Sequence, residues 1–252
     1  MQSALDQFRI SIGRVRDLIA LHNSMKAQAT GALDVSDMLR AALVLTVSAL
    51  DYYIHEVVTL GMLEIYRGDR PEPSPAGNIA QSAFARFQVS LGNARQDRLT
   101  AINLADWLEF EIQKLQGYEF LQNTYTISEL IPVLSNSLSN KLDDTLWLET
   151  EIRERLRYQS FQQAEKIADA IRLISDQKLW DTVADRMKRS AKEVKQQLSL
   201  IVDRRNKIAH EADINPILGI GERWGIDEMQ VSEAVDFIVG VVEAIHQVIQ
   251  VG

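Results

Sequence analysis

The chain has 252 residues, a formal net charge of −8, 46% hydrophobic and 25% charged residues, which is enough to bury a full core in one large domain or two small ones. It contains no cysteine, so disulfides, thiolate metal ligands and thiol nucleophiles are excluded, and a cytoplasmic setting is the simplest expectation. The acidic total argues mildly against a polyanion as partner, but local charge decides docking, and charge is unevenly placed here.

In chain order, Met1-Gln2-Ser3-Ala4-Leu5-Asp6-Gln7 has neither the basic start nor the apolar core of a secretory leader. A first helix is expected over Ser3–Ala29, and a second over Ser36–Tyr66 with Asp34 or Ser36 as its cap. The most apolar run, Ala41–Leu50, is followed by Asp51, His55 and Glu56, too short and too polar for a membrane span, so no membrane partner is expected. Arg70-Pro71-Glu72-Pro73-Ser74-Pro75 breaks the helical pattern and marks a proline-rich connection over about 68–78. Helices are expected again over Ala76–Leu91, Asp97–Leu115 and Ser128–Leu134, with a polar loop at Ser135–Asn140. Then come Leu142–Tyr158, Gln162–Ile174 and a long helix from Gln177 to Ala209. A loop with Asn215-Pro216, Gly219, Gly221 and Gly225 leads to a last helix, Glu228–Val251, with Val231, Val235, Ile238, Val242, Ile245 and Ile249 on one face. No alternating strand pattern, repeat or low-complexity tract appears. The fold class is therefore all-α: one helical-bundle domain over 1–252, with its core over about 36–252 and residues 1–30 as an N-terminal helix.

Two helices carry unusual polar residues. On the second, Arg40, Ser48, Asp51 and His55 share a face beside the apolar seam of Leu43, Val47, Leu50, Ile54, Val57 and Gly61. Asp51 and His55 are four apart, so carboxylate can meet imidazole. Such a stripe is either an internal hydrogen-bond network that fixes packing or the wall of a functional pocket.

The long helix ends in Asp203-Arg204-Arg205-Asn206-Lys207-Ile208-Ala209-His210-Glu211. Its seam, Trp180, Ala184, Met187, Ala191, Val194, Leu198, Ile201 and Ile208, keeps its period only if Arg205 is included. An arginine on an apolar face keeps its charge and needs an anion, with Asp51 one available mate. From Trp180 to Ala209 eight basic residues (Arg186, Lys188, Arg189, Lys192, Lys195, Arg204, Arg205, Lys207) face four acidic ones (Asp181, Asp185, Glu193, Asp203). Arg204, Lys207 and His210 also suit the negative end of a helix dipole, which needs no ligand to explain it. Each step of a helix turns about 100°, so Asn206 and His210 lie ~40° apart but Arg205 and His210 ~140°. The last two converge only if the helix loosens before His210, if the arginine reaches around, or if a second copy supplies one of them.

Arg205-Asn206-Lys207-Ile208-Ala209-His210 resembles the Arg-(four to six residues)-His motif of HEPN domains. The wider phrase Leu200–Glu211, the early helix Leu39–Glu56 and the stretch Ser160–Ile167 resemble the RiboL-PSP-HEPN branch, over roughly Ser36 to the C-terminus with a loosely matched middle. The resemblance implies a metal-independent endoribonuclease of prokaryotic toxin–antitoxin or phage-defence systems, acting as a homodimer with paired motifs at the interface, or a non-catalytic RNA- or nucleotide-binding module. The implied partners are RNA, a second copy through the motif-bearing helix, and an antitoxin or sensor protein. No cofactor and no metal are implied. Where one subgroup has a nucleotidyl-accepting tyrosine two residues past the histidine, this chain has Ala212, so that control is not implied.

On this reading Arg205, Asn206 and His210 are the candidate catalytic residues. His210 serves as general acid or base, Arg205 braces the phosphoryl oxygens, and Asn206 orients phosphate or imidazole. Arg204 and Lys207 are candidate substrate-binding residues, and Arg40, Ser48, Asp51 and His55 candidate supporting residues. Glu211 and Asp213 are expected in the following loop for solubility rather than as metal ligands.

Overall fold

A computed structural model describes residues 1–28, 34–74, 108–110, 112–143 and 145–250. The helices are α1 (Gln2–Gln28), α2 (Ser36–Arg67), α3 (Ile127–Asp143), α4 (Thr145–Leu156), α5 (Ala164–Ile171), α6 (Leu179–Met187), α7 (Ala191–Glu211) and α8 (Glu228–Gln250), with a 3₁₀ turn at Tyr118–Gln122. Residues 108–110 and 112–116 are also helical; the helix expected over Ala76–Leu91 and most of that over Asp97–Leu115 lie outside the described residues. No strand occurs among the described residues, only an isolated antiparallel bridge between Ile214 and Arg223. The fold is all-α, as expected.

The chain divides into two compact units, Met1–Phe87 with Leu156–Gly252, and Gln88–Arg155. In the first, α2 is the central helix, with α1, α5, α7 and α8 all packed on it. Its length and hydropathy alone would let it cross a membrane, and its apolar residues are instead the inner wall of this bundle, among them Leu43, Val47, Leu50, Ile54 and Val57. The amphipathic faces of α1 (Leu5, Phe8, Ile12, Val15) and α8 (Val231, Val235, Ile238, Ile245) are buried, so α1 is part of the core rather than an appendage to it. Gly61 permits the tightest approach: a Cβ there would lie 2.8 Å from Ile174 Cγ2.

Two expected boundaries need correction. The polar run Ser135–Asn140 is helical, inside α3. Leu134, Leu138 and Leu142 recur every four residues through it, and that period outweighs the poor propensity of serine and asparagine. The long helix over Gln177–Ala209 is two helices. Lys188 is left-handed (φ 54°) and closes α6, with Arg189 N–H donating to Ala184 O at 3.0 Å. Ser190 then opens α7 with a reciprocal cap: its Oγ accepts from Glu193 N–H at 3.2 Å, and its own N–H donates to the Glu193 carboxylate at 2.8 Å. The apolar period happens to run through the break from Met187 to Ala191. The Ser-x-x-Glu signature was the signal that should have divided it.

Candidate functional site at the end of α7

The C-terminal turn of α7 is regular through Glu211, so the helix does not loosen before His210. It ends instead on two successive left-handed residues, Ala212 (φ 51°) and Asp213 (φ 58°), whose N–H groups both return to Lys207 O. Non-glycine residues in this region are unfavourable by roughly 1–2 kcal/mol each, so something must hold the reversal.

The Asp213 side chain holds it. It is fully buried, accepting from Arg40 Nε at 2.7 Å and from both terminal nitrogens of Arg204, Nη2 at 2.8 Å and Nη1 closer still. Arg40 is itself buried and donates further to Ser36 Oγ (2.6 Å) and Trp224 O (2.8 Å). Arg204 reaches Gly225 O at 3.1 Å. Outside this cluster, Arg223 bridges Asp34 and Asp37 at the start of α2. Together these bonds pin Asp213 and Arg223–Gly225 to the N-terminus of α2 and the C-terminus of α7. Asp213 is thus a keystone and not a solubilising loop residue. The rule that an arginine among apolar neighbours needs a carboxylate holds here for Arg40. Arg204, expected on substrate, spends its guanidinium on Asp213.

Arg205 is placed differently. It is half-buried on the seam that continues Val194, Leu198 and Ile201. Among the described residues no carboxylate lies within ion-pair distance of it, and its buried Nε has no hydrogen-bond partner. Its Nη1 donates to Asn206 Oδ1 at 3.1 Å. By helix azimuth Asn206 lies between Arg205 and His210, so this bond is on the side of Arg205 nearer His210. His210 is exposed. Lys207 is exposed, with its Nζ 5.1 Å from the centre of the Trp224 ring.

The stripe on α2 is not brought together as one site. Arg40 meets Asp213, but Asp51 and His55 lie about 16 and 22 Å further along the helix axis. Asp51 accepts from Phe161 N–H at 2.5 Å and lies 3.9 Å from His55 Nε2, while the His55 ring meets Phe161 edge-on at 4.7 Å. These residues anchor the chain entering α5. Asp51 is therefore not the mate of Arg205. Among the described residues Ser48 bonds only its own helix, at Val44 O (2.9 Å). No group of three or more potential metal-binding side chains occurs among the described residues.

Sequence reasoning took Asp213 for a solubilising loop residue and missed Trp224. The available signal was Arg40 itself, a guanidinium on the apolar helix with no acid at helical spacing beyond Asp37. A family model described as RiboL-PSP-HEPN matches residues 10–251. No curated protein and no solved structure matches the chain.

Proposed function

The chain belongs to the RiboL-PSP-HEPN family, within the HEPN domains that generally include ribonucleases, and we propose that it is a metal-independent endoribonuclease. The observation that carries this is Arg205: a fixed positive charge without a carboxylate among the described residues, bonded to Asn206 one turn before His210. A guanidinium so placed fits the non-bridging oxygens of a phosphodiester, where negative charge grows during transfer.

The substrate's 2′-oxygen attacks the adjacent phosphorus, forming the 2′-O–P bond as the P–O5′ bond breaks. The 2′-hydroxyl proton passes to a base and a proton is delivered to the departing 5′-oxygen. The products are a 2′,3′-cyclic phosphate and a 5′-hydroxyl. The single imidazole at each α7 end, His210, serves one of these transfers at a time, so a homodimer with two α7 ends together supplies both. A toxin or phage-defence role, with an antitoxin or sensor protein as partner, belongs to the same proposal. The second reading is a non-catalytic RNA- or nucleotide-binding module. It is favoured by one observation, that His210 has no hydrogen-bond partner among the described residues to orient its ring.

Purified protein is incubated with mixed RNA in EDTA beside His210→Ala and Arg205→Ala. Cleavage with cyclic phosphate ends, reduced by ~10²–10⁴-fold in His210→Ala, is expected. Binding without cleavage by the wild-type chain selects the module, and neither binding nor cleavage refutes both.

A further inference from the structure

We propose that Trp224, with Lys207 beside it, is a stacking platform for one unpaired base of the RNA; this rests on the ribonuclease reading above. Three features carry it. First, the residue is fixed by its backbone: Trp224 N–H donates to Asp213 O at 2.9 Å, and Trp224 O accepts from Arg40 at 2.8 Å and from Arg204 at 3.4 Å. The Trp224 backbone is thereby mounted at the end of α7, hydrogen-bonded to Asp213, three positions past His210. Second, the ring is only half-buried, and the neighbour shown at its face is the flexible Lys207 side chain. Third, Lys207 precedes His210 by three residues, one turn of the same helix, a rise of about 4.5 Å. A nucleotide held at Arg205 and His210 therefore has a cation and an aromatic face within one nucleotide's reach.

The exchange on binding is simple. Lys207 swings from the ring to a backbone phosphate, and the base takes its place on the indole. Every base has a π-face, so the platform favours single strands without reading sequence. Base stacking on an aromatic side chain is worth about 5- to 150-fold in affinity.

The test uses the full chain with His210→Ala to prevent turnover, and a short mixed-sequence single-stranded RNA beside its duplex. Trp224→Leu is expected to weaken single-strand binding by about 5- to 150-fold, and Trp224→Phe to retain most of it. The indole fluorescence quenched by single-stranded RNA should disappear in Trp224→Phe. A folded Trp224→Leu that binds as tightly as its parent overturns the platform. If Trp224→Leu does not fold, the fluorescence decides: quenching unchanged between parent and Trp224→Phe overturns it equally. Failure of the wild-type chain, run beside the parent in EDTA, either to bind or to cleave RNA would refute the ribonuclease reading itself, a result distinct from either of these.

Discussion

Asp213→Asn removes one negative charge from between two guanidinium groups. Asp213 accepts three charge-assisted hydrogen bonds, from Arg40 Nε and from both terminal nitrogens of Arg204. The amide of asparagine turns donors toward donors on one side and removes the charge from both. The Arg40 side chain, 8% exposed, then stays charged with Ser36, the Trp224 carbonyl and Asp37 at 3.5 Å as its remaining partners. Breaking a buried ion pair by removing one partner costs about 3–5 kcal/mol. The lower end applies here, because the Arg204 side chain is 24% exposed and can rehydrate. For a chain of this size about 3 kcal/mol lowers the Tm by roughly 6–12 °C. Thermal unfolding followed by circular dichroism measures this, and amide exchange at Asp213 and Trp224 shows whether the loop opens first. A Tm within about 2 °C of wild type would refute the assignment of Asp213 as keystone.

The break between α6 and α7 predicts that Ser190→Ala destabilises by about 1 kcal/mol through loss of the cap on Glu193 N–H. Were Gln177–Ala209 one continuous helix, alanine in its interior would instead stabilise, so the sign of the change decides. His246 gives a pH dependence. It lies in the core, 3.1 Å from the Tyr53 hydroxyl and 3.0 Å from the Gln250 amide. Burial lowers its pKa from the ordinary 6.5. Its contribution to stability is therefore complete above pH 6.5 and is lost as pH falls through 6.5 toward the folded value. His246→Gln should flatten Tm against pH just below 6.5, and parallel profiles for the two proteins would count against it.

Much of the fold was legible because burial imposes a period. The faces of α1, α2 and α8 follow from apolar residues at steps of three and four, and these helices lie where that spacing puts them. The same logic misled at two points. A period that ran through Lys188–Ser190 hid a helix break that the Ser190–Glu193 capping pair encoded locally. Polar residues at Ser135–Asn140 looked like a loop, although the leucines every four residues kept the helix. At the site, the seam position of Arg205 was readable, and so was its angular separation from His210. Its relation to Asp51 was not, because Asp51 is committed to Phe161 N–H, 110 residues away in sequence.

The sequence by itself determined the helical class, the family phrase around Arg205–His210 and the absence of thiol chemistry, since these rest on residue type and short-range spacing. Only the tertiary structure decided which arginine is paired and which is not. Arg40 and Arg204 meet in the carboxylate of Asp213, joining positions 173 residues apart and closing the chain behind His210. That leaves Arg205 with Asn206 alone as the side-chain partner described. Charge pairing depends on distances of a few ångströms between segments remote in sequence. Helical periodicity describes each segment alone and carries no record of which segments meet.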